Sequence, residues 1–174
     1  EKVPRVRFAG FSGDWEEKYL GDIAKVTMGQ SPDSVNYTDN PSDYILVQGN
    51  ADLQNGKVVP RIYTTQLTKR ADKGDIILTV RAPVGALALT DYDVVLGRGV
   101  AGINGNSFIY YSLEFANILK SWEKFSSGST FDSINSSDVK GFELLVPNKE
   151  EQTAIGNFFQ KIDQVIELQQ KALD

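Results

Sequence analysis

The stretch "LLVPNKEEQTAIGNFFQKIDQVI", residues 144–166, constrains the chain more than any other. A short apolar run stops at Pro147, and a helix is then announced twice. Asn148 is an N-cap, because its side-chain oxygen can accept a free N–H of the first turn. Glu151, three residues on, can answer it as in a capping box, and Glu150 and Glu151 suit the positive end of the helix dipole. Apolar residues then recur at Ile155, Phe158, Phe159, Ile162, Val165, Ile166, Ala172 and Leu173. In heptad register Ile155, Ile162 and Gln169 share one position and Phe158, Val165 and Ala172 the other, so only Gln169 interrupts the seam. A helix from 149 to 174 would be ~39 Å long, more than the body of a small domain covers. Two arrangements are open. The helix folds back on its own sheet, or it projects and pairs with another helix. Each large side chain left bare would forgo ~1.5–3 kcal/mol of burial.

With 174 residues, 41% of them hydrophobic, the chain suffices for one core plus an appended element. The division expected is a domain over 1–147 and a helix over 148–174. Cysteine and histidine are both absent, which excludes disulfides, thiolate chemistry, His-based triads and most zinc sites. No apolar run reaches the ~18 residues of a membrane span, and the opening "EKVPRVRFAGFSG" lacks the apolar centre of a signal peptide. A cytoplasmic location is expected. The net charge is −5 and the pI about 4.8, unpromising for nucleic acid. The charge is unevenly spread, however. Residues 57–98 carry seven basic and four acidic side chains, whereas 149–174 carry three basic and five acidic.

Along the chain, residues 1–28 read as an opening strand and a short helical or turn element around Trp15 to Lys25. Residues 29–43, "GQSPDSVNYTDNPSD", read as an exposed loop. Strand-like runs follow at 44–48, 57–59, 75–80, 86–89, 94–96, 100–103 and 107–111, parted by turns such as Asn55-Gly56, Lys73-Gly74 and Ala82-Pro83. No long helix alternates with them. An α+β class follows, with a compact, twisted mixed or antiparallel sheet. "SLEFANILKSWEK" (112–124) is a helix packed on it, 125–138 a polar loop, and "GFELLV" (141–146) a last strand.

Four segments together resemble a known family. They are "PRVRFAGFSGDWEEKYLGDI" (4–23), "TMGQSP" (27–32), "KGDIILTVRAPVGALAL" (73–89) and "GSTFDSINSSDVKGFELLVPNKEEQTAIGNFFQKIDQVI" (128–166). In this order and spacing they look like one repeat unit of a type I restriction-modification specificity subunit. The last is the most specific, and the resemblance covers nearly the whole chain. It implies a non-catalytic protein built from two target-recognition domains and two long helices, of which this chain holds half. Each domain reads one part of a bipartite DNA target, and the helices pair antiparallel as a ruler. A second copy, or the other half of the subunit, would supply the pairing helix. The partners implied are double-stranded DNA, modification (methyltransferase) subunits that methylate adenine, and a restriction subunit. No cofactor is implied in this chain; S-adenosylmethionine, ATP and Mg belong to the partners.

Candidate DNA contacts come from the residues themselves. Lys57, Arg61, Lys69, Arg70 and Lys73 fall in or beside loops of the basic segment and can touch phosphates or bases, or stay as solvated charges. Arg81 follows a strand, and Arg98 lies between Gly97 and Gly99. Each can fork onto guanine O6 and N7 or pair with an Asp such as Asp75 or Asp93. Gln30, Ser31, Gln48 and Asn50 stand at loop or strand ends, where Gln and Asn can read adenine or simply satisfy turns. Ser127, Ser129 and Thr130 surround Gly128 and can bond phosphate. Tyr37 and Tyr63 are loop aromatics able to stack, whereas Trp122 belongs to a core. Asp132, Asp138 and Glu143 could supply the acid pair of an enzyme, but Asp138 reads as a cap and Glu143 alternates within a strand. "GRGVAGING" (97–105) lacks both the following helix and the Lys-Ser/Thr of a P-loop. A third class is a helix-mediated interaction protein that never binds DNA.

Overall fold

Residues 75–80, "DIILTV", are buried without a break, and a strand hidden on both faces needs cover on both. In the computed structural model, which describes residues 2–125 and 133–173, a second sheet covers one face and helices cover the other. The chain starts regular structure with β1 (Glu16–Tyr19), a single-turn α1 (Leu20–Ile23) and β2 (Lys25–Met28). Short strands follow: β3 (Tyr37–Thr38), β4 (Tyr44–Val47), β5 (Leu53–Gln54), β6 (Lys57–Val58), β7 (Ile62–Thr64) and β8 (Arg70–Ala71). The longer central strands are β9 (Ile76–Thr79), β10 (Leu87–Leu89), β11 (Val94–Leu96) and β12 (Val100–Asn104). Then come α2 (Ser107–Ile118), α3 (Ser136–Lys140), β13 (Glu143–Val146) and α4 (Lys149–Leu173).

One sheet runs β2-β12-β9-β10-β6-β5, the other β3-β7-β4-β11-β8, and β1 pairs with β13 alone. Two pairings are parallel, β10 with β6 and β11 with β4, and the rest are antiparallel. The sheets are therefore mixed, as expected for this α+β chain. Side chains alternate across β9. Ile77 faces the second sheet with Val47, Val94, Leu96 and Val100. Ile76 and Leu78 face the helices with Leu20, Phe108, Leu113 and Trp122.

Several expectations change. "SFIYY" (107–111) is the first half of α2 rather than a strand, because the Asn106 side chain accepts from the Ile109 N–H (3.0 Å) and starts a helix there. That helix ends at Ile118, and Ser121–Phe125 form a separate 3₁₀ turn. Residues 15–25 hold two strands around a single helical turn. Asn148 does cap α4, accepting from the Glu151 N–H (2.9 Å). The Glu151 carboxylate, however, is fully buried and turned to Arg7, which donates to its two oxygens at 2.7 Å each. Arg7 also donates to the Gly13 and Ser12 carbonyls. The irregular N-terminal segment is thereby pinned over the start of α4. The carboxylate's hydrogen bond holds the Arg7 guanidinium above its usual pKa, against the opposing effect of burial.

The first turns of α4 lie on α2. Gly156 is the point of closest approach; a Cβ there would run into the Ser107 hydroxyl and come to 3.0 Å from the Phe108 nitrogen. Asn106 Nδ2 donates to Gln152 Oε1 (2.9 Å), and Tyr111 donates to Asp163 Oδ2 (2.6 Å). From Asn157 onward every described residue of α4 is exposed. The helix is thus neither folded flat on the sheet nor free along its whole length.

Gly156→Ala tests that contact. Helix propensity alone would gain about 1 kcal/mol, but the methyl meets backbone, and overpacking of this kind costs about 1–3 kcal/mol. Net destabilisation in urea melts is expected, with partial recovery when Ser107→Ala removes the hydroxyl. Glu114 gives a pH signature. Burial pushes its carboxyl pKa up, a hydrogen bond with Tyr110 opposes this, and the Asp163 charge adds to the rise. The native state therefore holds this proton more tightly than the unfolded chain does. The resulting stabilisation is complete below the ordinary carboxylate pKa and is lost as pH rises through the raised one. Glu114→Gln should be more stable than the parent at pH 8, with the gap closing near pH 4 in parallel melts.

Candidate nucleic-acid interface

At one end of the central strands three backbones meet at glycines. Gly29 donates to the Val100 carbonyl (3.0 Å), Gly97 to Val47 (2.7 Å), and Gly99 accepts from the Val80 N–H (2.9 Å). A Cβ on Gly29 would strike the Gly97 carbonyl, and one on Gly99 would strike the Gln48 carbonyl. Only hydrogen-sized side chains allow these strand ends to come so close. Arg98 rides between Gly97 and Gly99, its N–H donating to Ser31 Oγ (3.1 Å).

Beside it stands the turn after β4. Asp52, buried, accepts from the N–H groups of Gln48 (2.8 Å) and Gly49 (3.2 Å) and from Arg61 Nη1 (3.3 Å). Gln48 Nε2 in turn donates to the Tyr37 hydroxyl (2.8 Å). Sequence reasoning overlooked Asp52. Its signal was the carboxylate three residues after Gly49, placed to receive the free N–H groups of a turn start. The third wall is the loop after β9. Thr79 Oγ1 donates to the Pro83 carbonyl (2.6 Å) and accepts from the Ala86 N–H (2.9 Å), while Arg81 bridges to Ser133. The result is an open polar depression of about 340 Å³ lined by Ser31, Gln48, Gly49, Asn50, Arg81, Ala82, Arg98 and Gly99.

Five of the thirteen DNA-contact candidates, Ser31, Gln48, Asn50, Arg81 and Arg98, therefore share one depression. Gln30 and Lys69 flank it. The Leu96 carbonyl accepts from Gln30, the Lys69 carbonyl accepts from Leu96, and Thr68 bonds the Gln30 carbonyl. Arg61 adjoins through Asp52. Arg81 and Arg98 are exposed and make no side-chain hydrogen bond or ion pair with the described residues. The acids named as their competitors are engaged elsewhere. Asp75 accepts from Asp72 N and Asn104, and Asp93 from Arg70 and Lys73 N.

Three candidates lie apart. Arg70 pairs with Asp72 (2.6 Å) and Asp93 (2.9 Å), and Lys73 sits at the same far end of β11. Lys57 pairs with Asp91 (3.3 Å). It stands opposite Leu89, at the other end of β10 from Arg81, facing the later turns of α4. Ser127, Ser129 and Thr130 lie outside the described residues, as does Asp132.

The helix-pairing candidates divide. Ile155 packs on the core. Phe158 meets Phe8 edge-on at 5.4 Å and Phe159 tilts on Tyr111 at 5.2 Å, so both rings are partly used by their own domain. Ile162, Val165 and Ile166 remain 38%, 54% and 46% exposed. Asp138 caps α3, its carboxylate accepting from Asn135 N (2.8 Å). Glu143 is an exposed strand residue. No cluster of metal-ligating side chains occurs among the described residues, and no helix there is long and apolar enough to cross a membrane.

The type I restriction modification DNA specificity domain family matches residues 12–174. Among curated proteins, the chain is similar to the MjaX specificity subunit of a type I restriction enzyme in Methanocaldococcus jannaschii. The two are 34% identical over 166 residues, which is 91% of this chain and 39% of that protein. The MjaIX specificity subunit of the same organism is 27% identical over 91% of this chain and 40% of its own length. The chain thus spans about two-fifths of these relatives. Among solved structures, one from work on complex assembly and conformational transition of the type I R-M system superposes with a TM-score of 0.78 at 27% identity, covering 94% of this chain and 42% of that one. The HsdS subunit from Thermoanaerobacter tengcongensis gives 0.75 at 26%, over 94% and 41%. The S subunit from M. genitalium shares the fold, with a TM-score of 0.68 at 22% identity over 95% of this chain and 42% of that one. By this match the chain belongs to the type I restriction-modification DNA specificity domain family.

Proposed function

We propose that this chain is the reading half of a specificity subunit, holding one part of a bipartite duplex target while partner subunits methylate adenine and cleave. The observation that carries the reading is the depression at the glycine crossing, where the guanidinium groups of Arg81 and Arg98, unpaired among the described residues, line it together with the amides of Gln48 and Asn50. Such a set offers donors and acceptors to base edges, while Lys69 and Arg61 on its flanks suit phosphates. In this reading residues 1–147 form the recognition domain and carry out no catalysis. Residues 148–174 begin the spacer, pairing antiparallel with a second helix through Ile162, Val165 and Ile166. S-adenosylmethionine, ATP and magnesium then belong to the modification and restriction subunits.

A protein that used α4 only to dock another protein would bind its partner with little salt dependence. A duplex reader releases counterions, so its affinity falls steeply as salt rises. Titration of labelled duplex from 50 to 200 mM salt separates the two, and sequencing of methylated bases in cells with the intact system supplies the target. Lys69→Ala should weaken binding to all duplexes alike and reduce the magnitude of the log–log salt slope by about 1. A second expectation concerns the helix. Ile162→Asp with Val165→Asp places two charges on the exposed stripe beyond the part that packs on α2. Pairing should be lost by sedimentation while the thermal midpoint of the domain stays close to the parent's.

A further inference from the structure

The geometry points to Arg98 as a specificity-determining residue that reads a guanine of the target through its major-groove edge, with Ser31 as its positioning residue. This rests on the duplex-reading function proposed above. Three observations set Arg98 apart from the other basic side chains. Its backbone is clamped on both sides, since Gly97 donates to Val47, Gly99 accepts from Val80, and the Arg98 N–H itself is bonded to Ser31 Oγ. The backbones at this clamp lie in direct contact, since a Cβ at Gly97 would come to 3.1 Å from the Gln48 Cα and one at Gly99 would strike the Gln48 carbonyl. Its guanidinium is nonetheless exposed and makes no bond with the described residues. The forks of Arg7 and Arg70 are taken by carboxylates instead, and Arg61 spends one N–H on Asp52.

A guanidinium presents its N–H groups in a planar fork that matches two adjacent acceptors. Guanine alone among the bases offers two, O6 and N7, on its major-groove edge. Phosphate contact asks little of the backbone that carries the charge. Reading a base edge asks for a fixed root, because every rotation frozen on binding costs entropy and blurs the discrimination. The Gly97-Arg98-Gly99 turn supplies that root at the wall of a depression that Gln48 and Asn50 also line.

The test uses the intact modification complex and duplexes carrying the target found by methylated-base sequencing. Each guanine is replaced in turn by 7-deazaguanine, which lacks the N7 acceptor. One position in the half-site read by this domain should lose about ten-fold in competition binding with the parent complex. Arg98→Lys keeps the charge but not the fork. It should become indifferent to the replacement at that position, keep its response elsewhere, and leave the salt slope unchanged. Ser31→Ala should reduce the discrimination there part-way with the thermal midpoint unmoved. A half-site without guanine overturns the assignment, as does an Arg98→Lys complex that still feels the missing N7. So does an Arg98→Ala complex that weakens equally on all sequences with the salt slope reduced by about 1, the mark of a phosphate contact; duplex reading itself would survive each of these. A parent complex with no preference for its target over other duplexes removes the reading function, and this assignment with it.

Discussion

The close approach of α4 to α2 at Gly156 governs the rest of the molecule. α2 is fastened to the central sheet by Phe108, Ile109 and Leu113, all buried with Ile76, Leu78 and Ile103. The same strands, β9 and β12, carry at their far ends the turns that hold Arg81 and Arg98. With no Cβ between them, α4 meets the N-terminus of α2 directly, and the direction of the long helix becomes a property of the domain core. Arg7 and Glu151 close the joint from the other side. A helix meant to set a distance between two reading sites needs such a joint, since an angular freedom of a few degrees at its base grows along its length.

The opposite end is built by a different logic. The Gln30, Gln48 and Arg98 turns are held by main-chain bonds between Gly29, Val47, Leu96, Gly97, Gly99 and Val100, and by Asp52 bonding amide N–H groups. Asp52 and Ser31 accept backbone N–H groups there and Gln48 bonds the Tyr37 hydroxyl, whereas the Arg98 guanidinium makes no bond with the described residues. A scaffold of that kind lets the Arg98 side chain be exchanged without removing a bond that holds the crossing beneath.

Much of this was legible in sequence because the signals are local. The Asn148 cap, the apolar stripe of α4, the core position of Trp122 and the runs that became β4, β9, β11 and β12 all follow from patterns within a few residues. "SFIYY" misled because β-branched and aromatic residues favour strands, and Asn106, the cap that overrides them, looked like part of a turn. Arg7 was unreadable for another reason: its partner lies 144 residues away. The same holds for Lys57, whose place at the wrong end of β10 depends on the parallel pairing with β6. Arg81, Arg98, Gln48, Asn50 and Ser31 were named one by one as turn residues, but their gathering in one depression is a product of topology.

An acidic protein that grips DNA needs its charges sorted in space rather than in sum. Asp91 neutralises Lys57, and Asp72 and Asp93 neutralise Arg70, all away from the depression. The acids of α4, Glu150, Glu151, Asp163 and Glu167, lie on the helix side of the central sheet. At physiological ionic strength charges more than ~8 Å apart are largely screened, so a phosphate at the reading end feels Arg81, Arg98 and Lys69 far more than the net −5. The remaining repulsion still weakens a lone domain. If two such domains are joined through paired helices as proposed, they would face the same duplex at high effective concentration, and contacts too few to hold one domain would suffice for both. Under the proposed function, acidity would then disfavour isolated half-sites more than a properly spaced pair.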